Sequence, residues 1–503
     1  MKKIYLPIIA LITFLSSCGD FLEEQSQDLA YATSCKDLSE ILIGSGYMKH
    51  EQQNNLNING EIPYYPWLFV MDDDATAYTF GEVELGTPLD FLGGFYYWEV
   101  NPFTNGGRPY DDYEWKRLYK HIASLNVIIK KVTEFTKDPL EEQNRVTGEA
   151  LFLRAGYYFL LANFYAAPYE KEKAHNTLGV PLKTTEYIED KFYHRATLDS
   201  IYSLIVHDLK SAANALKGIE QPSVYRANEA AAYALLSRVF LYMGEWQLSL
   251  EACKKTEEFA YQVLDLNQHS STTDFTSSSS PETIFSQGTH ALEFIFAEGL
   301  WFDDFRVYAY EASSELLNLY TTDKDLRLST FFKQTNNTIL PRKVLQSGTT
   351  TVSDGFLIRY SEILLNKAEA LVMLGKDEAA IETLNQLRKY RFKNHVVPEI
   401  SYTGEKLVNF IRDERRRELC FEGHRWFDLR RYAVSPKYPL KKDIIHYKYS
   451  NGSENKAGQK EGFYTLKAYP EGQNWILPIP GFEIELNPNT MVNNIREECT
   501  YSE

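Results

Sequence analysis

Adjacent carboxylates are the side chains in this sequence with the plainest capacity for chemistry. Asp72-Asp73-Asp74, Asp111-Asp112 and Asp303-Asp304 each set acids side by side among aromatic residues. Two carboxylates flanking a glycosidic bond can act as proton donor and nucleophile, and acids in aromatic loops serve equally well as acceptors for sugar hydroxyls. A second stretch, "RDERRRELCFEGHRWFDLRR" (412–431), holds seven arginines among five acids. Arginine suits bidentate recognition of carboxylate or phosphate, yet the interleaved acids already offer it partners. On a helix Ile411, Arg415, Glu418 and Glu422 share one stripe. Arg415 reaches Glu418 at i,i+3 and Asp413 reaches Arg417 at i,i+4. The run therefore reads as a partly buried ion-pair network that fixes register between helices and the rest of the chain. Trp426, Phe427 and Leu429 are its apolar anchors beyond a break at Gly423.

Motifs of catalysis are missing. The sequence has no HExxH, GxSxG or P-loop and no zinc-spaced Cys/His cluster, and its ten histidines are dispersed. The acidic triplet does not fit an EF-hand loop, because Ala77 takes the glycine position and Val83 the bidentate glutamate position. No catalytic residue, metal or cofactor is expected, and calcium is not indicated. Apart from Cys18, the cysteines Cys35, Cys253, Cys420 and Cys499 are scattered without a CxxC pair. Cys253 and Cys420 fall in helical patterns, where a free thiol behaves as a small buried hydrophobe.

Positioning of any site falls to helices. The 503 residues, 44% hydrophobic and 24% charged, suffice for a large core. Helical periodicity runs from Trp115 to Thr136, Leu140 to Tyr165 and Asp199 to Leu216, then through two helical hairpins, Ala230 to Ala260 and Ser361 to Arg391. Aligning Gly244 with Gly375 puts both turns in register, with small residues Ser249 and Ala380 five positions later, the pattern of tetratricopeptide-like units. Such units are expected around 115–165, 197–261 and 357–392, and make a curved scaffold that cannot bury its faces alone. Irregular stretches, 54–113 and 267–306, carry the loops. The Ser/Thr run inside the second reads as a mobile surface loop.

Aromatics are abundant, with 35 tyrosines and 29 phenylalanines. A sugar presents an apolar C–H face and a polar rim, and so is gripped by flat rings with amides and acids around them. Trp115, Trp246, Trp426 and Trp475 have helical or core explanations, whereas Trp67, Trp98 and Trp301 lie in irregular stretches. "GGFYYWEVNPF" (93–103) is the densest cluster and supplies Tyr96, Tyr97, Trp98 and Asn101, with Asp72 and Asp74 as candidate acceptors. A net charge of −16 excludes a phosphate-neutralising nucleic-acid binder.

The first residues set an address. "MKKIYLPIIALITFLSSC" has Lys2 and Lys3, an apolar run too short to span a bilayer, and Leu15-Ser16-Ser17-Cys18. Residues 1–17 read as a lipoprotein signal peptide and Cys18 as the lipidated N-terminus, held stably by several acyl chains. Residues 18–32 form a tether and 33–503 a single α-helical domain.

The arginine run resembles a C-terminal signature of the SusD/RagB family of outer-membrane nutrient-binding lipoproteins. "FLIRYSEILLNKAEAL" (356–371), "RAGYYFLLANFY" (154–165) and "WILPIPGFEIELNPN" (475–489) are similar to other family segments in the same order, while the tail "MVNNIREECTYSE" departs from the usual ending. The resemblance implies a mostly α SusD-like fold, with the tetratricopeptide-like hairpins as scaffold and long loops carrying the ligand face. Asp20, Glu23 and Glu24 after Cys18 resemble the signal that sends lipoproteins to the outer face of the outer membrane in Bacteroidota. Starch-binding members use aromatics and an Asn from a comparable N-terminal region and aromatics from a later loop, for which Trp301 and Tyr308 are the candidates here. The resemblance also implies a non-enzymatic, surface-exposed receptor that binds glycan and delivers it to a SusC-like TonB-dependent barrel. A RagB-like peptide receptor, or a scaffold docked on the barrel without a ligand, are the alternatives.

Overall fold

The computed structural model describes residues 32–49, 63–77, 88–105, 108–270, 272–296, 300–302, 305–307, 310–320, 323–335, 338–344, 350–450 and 458–503. The leader, Cys18, Asp303, Asp304 and Tyr308 lie outside the described residues.

Helices predominate: α1 (Cys35–Ile41), α2 (Pro88–Tyr96), α3 (Tyr113–Lys131), α4 (Leu140–Tyr165), α5 (Leu198–Ala215), α6 (Glu229–Tyr242), α7 (Trp246–Thr256), α8 (Tyr360–Met373), α9 (Asp377–Arg388), α10 (Gly404–Leu419) and α11 (Arg425–Ala433), with shorter turns between. Their starts follow from local chemistry. Asp112 caps α3, Thr197 caps α5 and Asn228 caps α6, each side chain accepting from a first-turn N–H. From α3 to α8 each helix packs on the next, giving the continuous scaffold expected of the periodicity. Helix α4 is buried on every side from Gly148 to Tyr165, the pattern of a helix walled in by neighbours. Among the described residues no helix is long and apolar enough to cross a membrane.

The two hairpins, α6–α7 and α8–α9, close in the same way. Gly244 and Gly375 have φ of +71° and +74°, and the following N–H groups, of Glu245 and Lys376, each bond back to the carbonyl five residues earlier at 2.9 Å. That closure needs a left-handed residue at the turn, which glycine adopts without strain. Ser249 and Ala380 are fully buried where the helices cross, and the Ser249 hydroxyl donates to the Ser237 carbonyl at 2.9 Å.

Strands are short: β1 (Ala75–Ala77), β2 (Thr283–Ser286), β3 (Leu300–Phe302), β4 (Phe305–Val307), β5 (Tyr310–Ala312), β6 (Leu357–Arg359), β7 (Ile444–Tyr449), β8 (Lys460–Leu466) and β9 (Thr500–Ser502). β1 pairs with β5, β2 with β6 and β3 with β4, and β7-β8-β9 form an antiparallel sheet, all pairs antiparallel. Buried apolar residues from Cys35 to Met491 form one cluster, and a second lies around α8, α9 and α10. Cys35, Cys253 and Cys420 are buried free thiols.

The arginine run folds as α10 and α11 around Gly423, whose φ is +73°. It is a buried ionic seam, with partners other than those the helical spacing predicts. Glu418 receives Arg391 at 2.8 and 2.9 Å, Arg359 at 2.8 Å and Arg327 at 3.3 Å. Arg359 also bonds Glu422 at 2.7 and 2.9 Å and Glu282 at 2.8 Å. Arg415 turns instead to Asp428 at 2.8 Å, Arg417 to Glu414 at 2.7 Å, and Asp413 faces solvent. The stripe from Ile411 to Glu422 faces a seam where guanidinium groups of other segments reach Glu418 and Glu422 with two-pronged geometry and take the place of Arg415 at Glu418. Burial raises the Glu418 carboxyl, but Arg391 and Arg359 outweigh it and hold the group well below the usual carboxylate range.

The Ser/Thr run is not a free loop where it meets this seam. Phe275, Thr276 and Ser277 are buried, and the guanidinium groups of Arg359 and Arg391 each lie 5.3 Å from the centre of the Phe275 ring. The Phe275 and Thr276 N–H groups both donate to the Lys343 carbonyl.

Candidate ligand-binding face

The densest aromatic stretch leaves α2 at Tyr96 and turns sharply through 97–103. Trp98 sits in the left-handed region with φ of +53°, a conformation that costs roughly 1–3 kcal/mol for a residue with a Cβ. Its surroundings hold it there. The indole N–H donates to the Met71 carbonyl at 2.9 Å, the ring stacks on His446 with centroids 4.2 Å apart, and Asn474 Nδ2 donates to the Trp98 carbonyl at 2.6 Å. Arg496 grips the next two carbonyls, of Glu99 at 2.7 Å and Val100 at 3.0 Å.

Trp98 is consequently 1% exposed and offers no open face for a sugar, contrary to its expected role. Four other candidates are also inside. Tyr96 stacks on the opposite face of His446 at 4.0 Å and accepts the Ala77 N–H at 2.9 Å through its hydroxyl. His446 thus lies between two rings, its Nδ1 2.6 Å from the Tyr96 carbonyl and its Nε2 2.8 Å from that of Asp72. Burial pushes this imidazole down to about 4, against the pull of those two carbonyls. Trp67 stacks on Phe95 at 5.2 Å and meets Phe164 edge-on at 4.7 Å.

Asp72 and Asp74 belong to a buried acidic turn in which the three carboxylates lie within 4.8 Å of one another. The charge is met from within the chain. Arg416 bonds Asp74 at 2.7 Å and Asp73 at 3.2 Å, Arg425 bonds Asp73 at 2.6 Å, and Lys442 also pairs with Asp73. Burial and the charges of Asp74 and Asp73 push the Asp72 carboxyl well up, while Arg416 and Arg425 overcome burial and hold Asp73 well down. A divalent cation would have to displace three resident cations, so the triplet does not suit one.

Tyr97 and Asn101 do reach the surface. The turn 99–101 is exposed, and Tyr97 and Phe103, which flank it in sequence, each begin an aromatic ladder. On one side the half-buried Tyr97 ring lies 4.9 Å from Tyr464, which lies 5.0 Å from Tyr501, itself 39% exposed. On the other, Phe103 packs edge-on to Tyr110 at 5.8 Å, and Tyr110 lies nearly parallel between Phe91 at 5.1 Å and Tyr113 at 5.8 Å. Tyr113 is 41% exposed. The Asn101 Oδ1 accepts the Phe103 N–H at 3.3 Å, which ties the exposed amide to the second ladder.

Trp301 is in the β3–β4 hairpin opposite Arg306, and the chain then enters β5, which pairs with β1 and brings Tyr310 to 5.3 Å from Tyr96. This pairing brings two segments distant in sequence together through buried rings. Tyr110, Tyr113, Tyr464 and Tyr501 were not among the expected contacts. Tyr110 and Tyr113 directly follow the cluster at i,i+3, a visible signal, whereas Tyr464 and Tyr501 become neighbours only through the β8–β9 register, Tyr464 opposite Tyr501.

The acid pairs have structural employment. Asp112 caps α3, bonding the Glu114 and Trp115 N–H groups at 2.9 and 3.2 Å, and accepts the Tyr165 hydroxyl at 2.5 Å. Burial pushes it up to about 7. Asp111 points outward to Lys116, so the two do not face a shared space as an acid and a nucleophile must.

Two family profiles match disjoint parts of the chain in order: one described as starch-binding associating with outer membrane over residues 98–241, and that of the SusD family over 304–495. Together with the fold they decide the classification. The chain belongs to the SusD/RagB family. SusD-like protein P38 of Formosa agariphila is 37% identical over 115 residues, which is 22% of this chain and 21% of that protein's length. SusD-like protein P2 of the same organism is 24% identical over 458 residues, covering 79% of this chain and 83% of the relative. Among solved structures, a SusD superfamily protein from Bacteroides thetaiotaomicron superposes with a TM-score of 0.70 at 22% identity, covering 92% of this chain and 100% of its own. A sugar-binding protein so described from Bacteroides vulgatus superposes at 0.68, with 23% identity and coverage of 92% and 98%. A laminarin binding SusD-like protein superposes at 0.59, with 19% identity and coverage of 94% and 99%. These likenesses establish a mostly α SusD-like fold.

Proposed function

We propose that this SusD/RagB chain is a non-catalytic glycan receptor of the outer membrane, lipid-anchored at Cys18 and facing outward, that hands oligo- or polysaccharide to a SusC-like TonB-dependent barrel. The observation that carries the reading is the exposed turn 99–101 framed by the Tyr97–Tyr464–Tyr501 and Phe91–Tyr110–Tyr113 ladders. Rings can meet the C–H face of a sugar, and Asn101 and Glu99 its hydroxyls. The laminarin-binding neighbour and the starch-binding profile supply the ligand class, and the leader together with that profile supplies the address. At ~1 kcal/mol for each ring beyond area burial and ~1 kcal/mol for each hydrogen bond, a shallow face of this size binds in roughly the millimolar to micromolar range. Such capture is releasable, which suits delivery.

Native gels cast with a panel of polysaccharides test the ligand. Retardation by one of them, diminished in Tyr113→Ala and Asn101→Ala and without shortening of the polymer, is expected. Retardation by none would transfer the reading to a peptide ligand. Co-purification with an outer-membrane barrel in mild detergent tests delivery, and its failure removes the barrel from the proposal.

A further inference from the structure

The hairpin turn between α6 and α7 opens onto a cavity of about 290 Å³ that the glycan reading does not use. Residues 241–246, 169–172 and 434–436 wall it, and Glu369 of α8 and Arg431 of α11 complete it. The lining holds four carboxylates, Glu170, Glu172, Glu245 and Glu369, against the two cations Lys171 and Arg431. Both cations are already matched. Arg431 bonds Glu369 at 2.6 and 2.9 Å and Asp428 at 2.7 Å, and Lys171 bonds Glu245 at 2.6 Å. Glu170 is matched as well, by Lys173 at 2.8 Å, which leaves Glu172 as the rim carboxylate available to a ligand.

Aromatic surface lies beside that charge. Tyr169 and Tyr242 are buried in the lining, and Trp246 is half-buried. Tyr242 is 5% exposed, and its hydroxyl has no hydrogen-bond partner among the described residues. Arg431 demonstrates the chemistry this surrounding favours: its guanidinium lies 5.2 Å from the Tyr242 ring centre and 4.4 Å from that of Tyr432, with carboxylates at its edge. The volume is at the lower limit of ligand sites and suits one long side chain. A guanidinium pairs with both oxygens of a carboxylate and stacks on rings, whereas an ammonium meets an acid only as a strongly hydrated point charge.

We propose that this cavity receives the side chain of an arginine presented by a partner polypeptide, stacked against Trp246 and paired with the acidic rim. The site is built by the hairpin turn and is independent of the glycan face, so either can fail alone.

Calorimetric titration of the full chain in detergent with N-acetyl-arginine methylamide, its uncharged citrulline counterpart and the lysine equivalent tests it. The arginine probe is expected to bind, more weakly as salt rises, with citrulline at least about fivefold weaker and lysine between them. Trp246→Ala and Glu172→Lys should each weaken the arginine probe by about fivefold or more, while Trp246→Phe, which keeps a ring, retains most of the binding and controls for folding. Absence of arginine binding, equal binding of citrulline, or unchanged binding in both Trp246→Ala and Glu172→Lys overturns the proposal. Glycan retardation should be the same in all these variants.

Discussion

Glu418 and Asn101 mark two ways in which this chain treats polar groups. Glu418 is fully buried and shared by three arginines drawn from positions 327, 359 and 391. Asn101 stands on an exposed turn among tyrosines. The dense charge that looks most like a binding motif is largely withdrawn into the interior, where every acid of the run but the exposed Asp413 has a cationic partner, whereas the turn 99–101 lies exposed near partly exposed tyrosines. In the proposed reading, recognition falls to the exposed turn and its neighbouring rings, while the ionic seam holds the fold beneath them.

The largest expected effect comes from breaking the seam. Arg359→Met leaves Glu282, Glu418 and Glu422 short of a shared partner and should lower stability by about 3–5 kcal/mol, read from the urea midpoint. A loss below about 1 kcal/mol would make the seam energetically idle. Acid should act on the same region. Glu414, raised by burial but drawn down to about 2 by Arg327, Arg417 and Arg388, contributes stability that is full above the ordinary 4.5 and is lost as pH falls toward 2. Glu418 and Glu422, also held below their ordinary range, add to this. Thermal melts should fall steeply below pH 4.5 and less steeply in Glu414→Gln.

Next comes Trp98→Ala, expected to cost about 3 kcal/mol and to abolish glycan retardation, because the turn loses its anchor. Trp98→Phe should recover much of both. A variant that kept full stability yet lost binding would restore Trp98 as a direct contact. Tyr113→Ala should leave the midpoint within about 0.5 kcal/mol and weaken glycan affinity roughly five- to tenfold. A pH effect of its own is expected at Asp112, whose pKa burial raises to about 7. Its contribution has the opposite sign to that of Glu414: it is present below the ordinary 3.8 and lost as pH rises through 7. Asp112→Asn, which can still cap α3, should flatten the decline of stability between pH 4 and 7.

Legibility differed between those regions for a physical reason. The hairpins were readable because Gly244 and Gly375 punctuate a 3.6-residue period, and the seam because acids and arginines alternate where a helix must bury one side. Its partners were not readable, since Arg327, Arg359 and Arg391 are 27 or more positions from Glu418 and meet it only in the folded chain. Around Trp98 the sequence offers composition without period. Irregular backbone is commonly exposed, and here Trp98 is buried because Met71, His446 and Asn474, distant in sequence, close around it. The Ser/Thr run departs from expectation for a related reason: Phe275 is its one large apolar residue, and the two guanidinium groups that cover it come from β6 and the segment after α9.

Arg425 closes on Asp73 across 352 positions, and Asn474 on Trp98 across 376. Until those late residues have emerged, the early half of the chain lacks one of the cations that meet Asp73 and the amide that clamps Trp98. Assembly is thus tied to chain completion rather than to the order of synthesis. A chain that stops before residue 425 lacks both contacts, and with them part of what holds the turn at Trp98 in place.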